Sequence, residues 1–425
     1  MDKLLMLGTS NGSCAIVEYA KSQGIHTIVT DNLSPEDSLA KQLSDEYWMI
    51  STSEVDALEV KCRDAGVTAV MSGASDYNVQ KAIELCSRLE LPSFCDMSVW
   101  HYSVDKYDFK NICRKFDVLV PEDFIVSPEL SDEEISKVKF PVMVKPIDLS
   151  GNKGVSYCYD KEDLKSAYKH ALTVSSSKKI IVERMLHGEE WYASYALAQG
   201  NIRLIALNAM FSQPGEPKNC YTVTTTVSNH VDQFVSEVNP QIEKMLTEGI
   251  GCKEGYCWVQ LMHDEDGKFY IIEMGYRLDG DMIFIPYKDV CGFDTVKFLV
   301  DYATGHPNMV KDLPVSQNQA FKKCGCAMML WTNKDGVISS IEGLGNLDIP
   351  GMVVDFRHKK GDTIRRYTSI GNIMFTADNC SEMCRMIDIV NKKIKILNEE
   401  GEDMVIKYTD FKYLQKIYED GLAGK

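Results

Sequence analysis

Apolar and polar positions alternate along the first hundred residues in a way that predicts strands followed by helices. Short apolar runs at residues 3–7, 26–31 and 67–71 predict strands. Residues 13–23 and 76–88 carry apolar side chains at helical spacing, and Gly24 ends the first of these helices. Such alternation favours a parallel sheet with flanking helices, so we predict an α/β unit over residues 1–100.

The rest of the chain divides into two further regions. Apolar runs at 141–145, 155–159 and 180–183, with a helical pattern at 161–174, predict a small lid lobe over about 118–185. Residues 187–310 predict a larger lobe that ends in a helix near 294–303. From about 318 the pattern changes to strands and turns, and a helix follows at 381–397. We therefore predict a second domain at 101–312 and a third, β-rich domain with one helix at 313–425.

Composition narrows the class of protein. A chain of 425 residues with 44% hydrophobic and 25% charged residues is expected to form two to four soluble units. Its apolar runs are short of a membrane span and its start lacks a secretory pattern, so we expect a cytoplasmic protein without membrane contact. A net charge of −16 argues against nucleic acid as a partner. The fourteen cysteines lack paired Cys-x-x-Cys spacing, which favours reduced, buried thiols.

One segment combines a carboxylate with an arginine. The apolar run 270–272 ends in Glu273, and Arg277 follows after a turn through Gly275. Carboxylates suit hard divalent cations, and a guanidinium binds phosphoryl or carboxylate groups through two hydrogen bonds. A surface ion pair is the alternative explanation.

Two upstream segments add candidate chemistry. The run 140–144 ends in Lys145, and the Gly-rich stretch 150–154 follows it, which suits a phosphate contact as well as an ordinary hairpin. Residues 179–183 predict a strand, and 183–190 a connector to the next one. The order Lys106, Lys145, Gly-rich stretch, Glu183-x-x-Leu186, Glu273-x-x-x-Arg277 resembles the ATP-grasp superfamily, in its carboxylate–amine ligase, biotin carboxylase and carbamoyl phosphate synthase branch.

The resemblance covers nearly the whole chain and implies an ATP-grasp fold of the α/β class. It implies an N-terminal parallel α/β domain and a small β-rich C-terminal domain. By the same resemblance, Lys106 and Lys145 hold the α- and β-phosphates of ATP. Ser150, Gly151 and Gly154 belong to the mobile loop that closes over these phosphates.

The resemblance also assigns the adenine and ribose contacts. Glu183 and Leu186 match the hinge whose backbone recognises adenine. Glu190 is the ribose carboxylate, although its neighbour Glu189 fits equally well. Residues 214–229 border the acceptor substrate in the family, which makes Thr224, Ser228 and His230 weaker candidates, and Asp76 is another.

The metal positions depart from the family pattern. Glu273 matches the principal Mg²⁺ ligand, and Arg277 the arginine that steadies the reacting phosphate. The family usually has Asp or Glu where Gln260 falls and Asn where Gly275 falls. Gln260 offers only a neutral amide oxygen and Gly275 no side chain, so one of the two usual metal positions is weakened, water-filled or completed by substrate.

The resemblance implies an ATP-dependent ligase with ATP and Mg²⁺ as cofactors. It would activate a small carboxylic acid as an acyl phosphate, join it to an amine and release ADP and phosphate. Activation of bicarbonate or formate, and a nucleotide-binding regulatory protein without turnover, are the alternatives. Gly8 and Gly12 followed by Asp31 suggest a dinucleotide site, but their spacing disfavours it. A homodimer is the default assembly.

Overall fold

The computed structural model describes residues 2–148, 154–226, 230–314, 321, 323–345, 347 and 349–420. Its N-terminal unit is a four-stranded parallel sheet with the order β3-β2-β1-β4. The strands are β1 (Lys3–Leu7), β2 (His26–Thr30), β3 (Glu46–Trp48) and β4 (Ala69–Ser72). The helices are α1 (Ser13–Ser22), α2 (Leu39–Leu43), α3 (Val55–Ala65) and α4 (Asp76–Leu89), with a 3₁₀ turn at Pro35–Asp37. The predicted α/β class is confirmed.

The sequence dictates this unit locally. Leu4, Leu5, Met6 and Leu7 are fully buried, as expected for a central parallel strand covered on both faces. Ser75 caps α4 by accepting a hydrogen bond from the backbone N–H of Asn78, which places Asp76 in the first turn.

The lid lobe is a second sheet, antiparallel, with the order β5-β8-β6-β7. Its strands are β5 (Asp123–Phe124), β6 (Val142–Pro146), β7 (Ser156–Cys158) and β8 (Ile180–Arg184). The helices of this region are α5 (Met97–Val104), α6 (Lys106–Lys115), α7 (Asp132–Ser136) and α8 (Lys161–Val174). Leu164, Ala167 and Ala171 of α8 pack on Val142 and Val144, so the predicted helix at 161–174 covers one face of the lid.

Most of the remaining strands form one eight-stranded antiparallel sheet, with the order β13-β12-β9-β10-β11-β14-β19-β17. The strands from residue 188 onward are β9 (Gly188–Ala198), β10 (Asn201–Ser212), β11 (Tyr221–Thr225), β12 (Gly255–Asp264), β13 (Phe269–Gly275), β14 (Cys324–Trp331), β15 (Gly336–Val337), β16 (Ser340–Glu342), β17 (Val353–Phe356), β18 (Thr363–Ile364), β19 (Ser369–Ala377) and β20 (Lys395–Leu397). Strands β14, β17 and β19 extend the sheet of the large lobe across residue 312, where we predicted a domain boundary.

Helices cover both sides of the large sheet. They are α9 (Val231–Gln233), α10 (Asn239–Lys244), α11 (Tyr287–Cys291), α12 (Thr295–Ala303), α13 (Cys380–Lys393) and α14 (Phe411–Asp420), with π-helical turns at Phe234–Val238 and Met245–Ile250 and a 3₁₀ turn at Val310–Asp312. The helix predicted at 381–397 is wrong at its end. The helix ends at Lys393, with Ile394 as its C-cap residue, and Ile396 pairs with Ile341 as part of β20. The apolar side chains at the end of the predicted helix fit its apolar stripe, but they fit a short two-stranded ribbon as well.

The two faces of β9 and β12 carry different side chains, because successive residues of a strand point to opposite sides. We call the face that bears Glu190, Gln260 and Glu273 the front face. The face that bears Glu189, Trp191 and His263 is the back face, and Trp191 belongs to the larger core cluster. No helix within the described ranges is long and apolar enough to cross a bilayer.

Candidate active site

Three predicted oxygen donors meet on the front face. Strand β12 pairs with β13 so that Gln260 lies opposite Glu273, and with β9 so that Met262 lies opposite Glu190. Gln260 and Met262 are two residues apart and therefore share a face. A register shift in the pairing of β12 with β13, between Gln260 and Leu261, keeps Glu273 on this same face.

Lys106 lies beside this row of donors. Asp105 caps α6 by accepting hydrogen bonds from the backbone N–H groups of Tyr107 and Asp108, so Lys106 is the first residue of the helix. Its Nζ is 3.5 Å from Oε2 of Glu273. The structure thus brings together a cation predicted to hold phosphate and the carboxylate predicted to bind Mg²⁺.

Lys145 takes part in a buried charge network of the lid. Its Nζ forms an ion pair with one oxygen of Glu183, and Nζ of Lys110 lies 2.8 Å from the other oxygen. Lys110 also pairs with Asp123. Burial alone would raise the pKa of Glu183, but Lys145 and Lys110 outweigh it and hold this pKa below its ordinary value. Sequence reasoning missed Lys110; its i+4 spacing from Lys106 on α6 was the available signal.

Glu190 is held in a setting that disfavours its charge. The hydroxyl of Tyr221 donates a hydrogen bond to its carboxylate. Burial, with a further contribution from the charge of Glu273, raises the pKa of Glu190 to about 7 against the opposing effect of Lys218. Burial, followed by the charge of Glu190, also raises the pKa of Tyr157 on β7, so the lid sheet faces the front face here. Glu189 points to the back face, which leaves Glu190 as the carboxylate on the side of Glu273.

Two of the other candidates in and next to the lid, Gly154 and Leu186, lie within the described residues. Gly154 has φ +76°, and a Cβ there would lie 2.8 Å from Cγ2 of Val174 and 2.9 Å from Cγ of Pro146, so this position requires glycine. Leu186 is buried in the connector between β8 and β9. Ser150 and Gly151 lie outside the described residues.

Arg277 joins the front face to the N-terminal unit. Its Nε forms an ion pair with Asp76 in the first turn of α4, and Nη1 donates to the carbonyl of Leu278 at 2.8 Å. The guanidinium lies over the ring of Trp258, 5.1 Å from the centroid. Asp76, a weaker sequence candidate, therefore contacts the predicted catalytic arginine.

Trp258 fills the space beside Gly275. The two residues are cross-strand partners, and a Cβ on Gly275 would lie 2.3 Å from Cζ2 of the indole. The place where the resembled family projects an asparagine is thus taken by an aromatic ring. The donor set that remains, the carboxylate of Glu273 and the amide oxygen of Gln260, fits a hard cation such as Mg²⁺ because both ligands are oxygens.

The residues that the sequence suggests for the acceptor side do not lie together. The ring of His230 stacks on that of His263, with centroids 3.9 Å apart, and His263 is the cross-strand partner of Glu189. His230 therefore lies at the back face, on the opposite side of the sheet from Glu190. Thr224 is buried in β11, opposite Met210. Ser228 lies outside the described part of the chain.

Part of the chain matches a known protein family. Residues 105–308 match the family described as carbamoyl-phosphate synthase L chain, ATP binding domain. The carbamoyl phosphate synthase large chain of Clostridium beijerinckii is 26% identical over 280 residues, which are 63% of this chain and 25% of the relative. The chain thus spans only about a quarter of the length of this relative.

Solved structures show the fold. An L-amino acid ligase from Bacillus licheniformis superposes with a TM-score of 0.75 at 16% identity, covering 94% of this chain and 99% of the other. A biotin carboxylase domain dimer of the Hydrogenobacter thermophilus 2-oxoglutarate carboxylase, solved with MgADP, ADP and bicarbonate, gives a TM-score of 0.74 at 16% identity, covering 93% and 91%.

The fold of this chain is an ATP-grasp fold, as the sequence pattern predicts. The likeness to the carbamoyl-phosphate synthase L chain, ATP binding domain, lies in residues 105–308.

Proposed function

We propose that this protein is an ATP-dependent ligase that activates a small carboxylic acid as an acyl phosphate and joins it to an amine. The observation that carries this proposal is the meeting of Lys106 and Glu273, 3.5 Å apart, on the face that also bears Gln260 and Glu190. The matched carbamoyl phosphate synthases and the L-amino acid ligase of similar fold support the same class of reaction.

The nucleotide would lie between the lid and the front face. Lys106 and Lys145 would hold the phosphates, the backbone of Glu183 and Leu186 the adenine, and Glu190 the ribose. Glu273 and Gln260 would hold Mg²⁺. When bound, this ion supplies positive charge that screens the phosphates from an incoming carboxylate.

The reaction requires like charges to be brought together. An oxygen of the acid attacks the γ-phosphorus of ATP, and the bond to ADP breaks. The amine nitrogen then attacks the acyl carbon, phosphate leaves and the nitrogen loses a proton. Lys106, Lys145 and Arg277 would supply positive charge, and exclusion of water would strengthen their effect. Exclusion of water from this site would also protect the acyl phosphate from hydrolysis.

A nucleotide-binding protein without turnover is the second candidate, and one observation favours it. Trp258 occupies the space beside Gly275, so the usual asparagine ligand is missing and its place is filled. Activation of bicarbonate is the other alternative, since a structural neighbour was solved with this anion. Small molecules are the substrates in each case, and a cytoplasmic homodimer is part of our proposal.

The test measures ADP and phosphate release by the full chain with ATP, Mg²⁺ and pooled amino acids and small acids. We expect release that depends on both an acid and an amine. Release driven by bicarbonate alone would support the carboxylase-type reaction, and ATP binding without release would support the regulatory protein.

Two variants connect this activity to the site. Glu273→Gln should fold and bind ATP but lose at least about 100-fold in Mg²⁺-dependent turnover.

Lys145→Ala should weaken ATP binding, whereas Lys139→Ala, on an exposed lysine of the lid, should not. Equal ATP affinity in both lysine variants would remove Lys145 from the nucleotide site.

A further inference from the structure

Three side chains of types that can coordinate metal ions meet on the back face, away from the proposed active site. Glu189 of β9 lies opposite His263 of β12, and His230 precedes α9. The carboxylate and imidazole ligand atoms of these residues lie within 4.8 Å of one another. None of the three is used in the proposed reaction, so their convergence requires a separate explanation.

The backbone holds this group closely. A Cβ on Gly188 would lie 2.0 Å from the carbonyl oxygen of His263, so only glycine allows β9 and β12 to approach as they do at this end. The approach places Glu189 directly beside His263. The rings of Phe269 and Trp191 surround the histidines, with centroids 4.7 Å from His263 and 6.0 Å from His230, respectively.

One ligand atom lacks a hydrogen bond. Nε2 of His263 is shielded from solvent and has no partner among the described residues. A buried polar atom without a partner is costly, and a bound cation would remove that cost.

We propose that Glu189, His230 and His263 form a divalent transition-metal site of the Zn²⁺ class. Two imidazole nitrogens and one carboxylate oxygen are a common protein donor set for Zn²⁺, with a further position open to water. The rings now stack with an interplanar angle of 27°, an arrangement in which both cannot aim a nitrogen at one ion. One imidazole therefore turns out of the stack when the metal binds.

The chemistry separates this site from the front face. Gln260 and Glu273 offer only oxygens, which suit Mg²⁺, whereas two nitrogens favour Zn²⁺, Co²⁺ or Ni²⁺. The bound ion would join β9, β12 and the N-terminal end of α9, where His230 is the N-cap residue. Metal binding at this site does not depend on ligase activity, so measurements of metal binding alone test it.

The experiment titrates the metal-free full chain with Co²⁺ in saturating Mg²⁺, following the visible absorption of the ion, and measures bound Zn²⁺ by equilibrium dialysis. We expect one ion per chain. His263→Ala and Glu189→Gln should each bind at least about tenfold more weakly, while Glu273→Gln should bind as the unaltered protein does.

A matched control comes from the second group of donors. His101, Asp105 and Asp108 also bring ligand atoms within 4.8 Å, but His101 is exposed and already hydrogen-bonded to Asp108 at 2.7 Å. His101→Ala should leave binding unchanged. Loss of binding in His101→Ala, equal affinity in His263→Ala and the unaltered chain, or no bound ion in the presence of Mg²⁺ would each overturn the proposal. Thermal unfolding of each variant checks that it is folded.

Discussion

At the scale of single residues, Glu190 shows how position in the fold changes an ordinary carboxylate. Its pKa lies near 7 in the folded protein, against 4.5 as its usual value. Between these pH values the folded chain keeps a proton that the unfolded chain has lost. The sequence identified this residue by resemblance only, and it left Glu189 as an equal choice. The pairing of β9 with β12 shows which of the two glutamates lies on the face of Glu273, which the local sequence pattern does not show.

The raised pKa predicts a pH dependence of stability. Because the folded state binds more protons, the free energy of unfolding should fall as pH rises from 4.5 to about 7, and this contribution should be constant outside that window. Glu190→Gln stays neutral and should become progressively more stable than the unaltered protein across the window. Urea denaturation at several pH values measures the difference. An exposed control, Glu248→Gln, should show no such divergence; parallel curves for Glu190→Gln would contradict the prediction.

Gly275 and Trp258 give a second prediction at this scale. Gly275→Ala should lower the free energy of unfolding by about 1–3 kcal/mol, because the added methyl group meets the indole. In a Trp258→Ala background the same change should cost almost nothing, since the space is open. A double-mutant cycle by urea denaturation measures this coupling. Gly280→Ala is the matched control, with no atom within 4 Å of the added Cβ. Additive effects would mean that the ring moves aside freely.

At the scale of elements, the sequence predicts those whose stabilisation is local. The helix predicted at 161–174 is α8 (Lys161–Val174), and the strand at 180–183 belongs to β8 (Ile180–Arg184). An apolar stripe and a cap suffice for such elements. Burial of Lys110 was not predictable, because its partners Glu183 and Asp123 come from strands that only the folded lid brings to α6.

The network around Lys110 predicts a large loss of stability on its removal. Lys110→Met should lower the free energy of unfolding by about 3–5 kcal/mol, because Glu183 and Asp123 each lose a cationic partner in a desolvated setting. Denaturation in urea provides the value. Lys115→Met, at an exposed position near the end of the same helix, should change it little. Similar values for the two variants would show that the buried network contributes nothing to stability.

At the scale of the whole molecule, the order of five short motifs was enough to indicate the ATP-grasp fold. The pairing of strands across residue 312 was not predictable. Strand β11 pairs with β14 over a separation of about a hundred residues, and the intervening pattern carries no information on partners. A change of local pattern near residue 318 therefore indicated a boundary, although the sheet continues through it.

This continuity predicts the behaviour of a shortened chain. A fragment of residues 1–312 lacks β14, β17 and β19, so the edge of β11 and much of the back-face core would be exposed. We expect it to aggregate rather than to fold as a monomer. Size-exclusion chromatography and circular dichroism of the expressed fragment test this. A monodisperse fragment with a cooperative melt would instead support an independent third domain.

Strand β9 carries both Glu190, which we propose for the nucleotide site, and its neighbour Glu189, which we propose for the metal site. A slip of its pairing by one residue would exchange Glu189 and Glu190 between the two sides of the sheet. Such a misaligned molecule would offer the wrong carboxylate to nucleotide and to metal simultaneously. Preparations in which both ligands fail together, while secondary structure is retained, would therefore reveal faulty strand alignment instead of damage to either pocket.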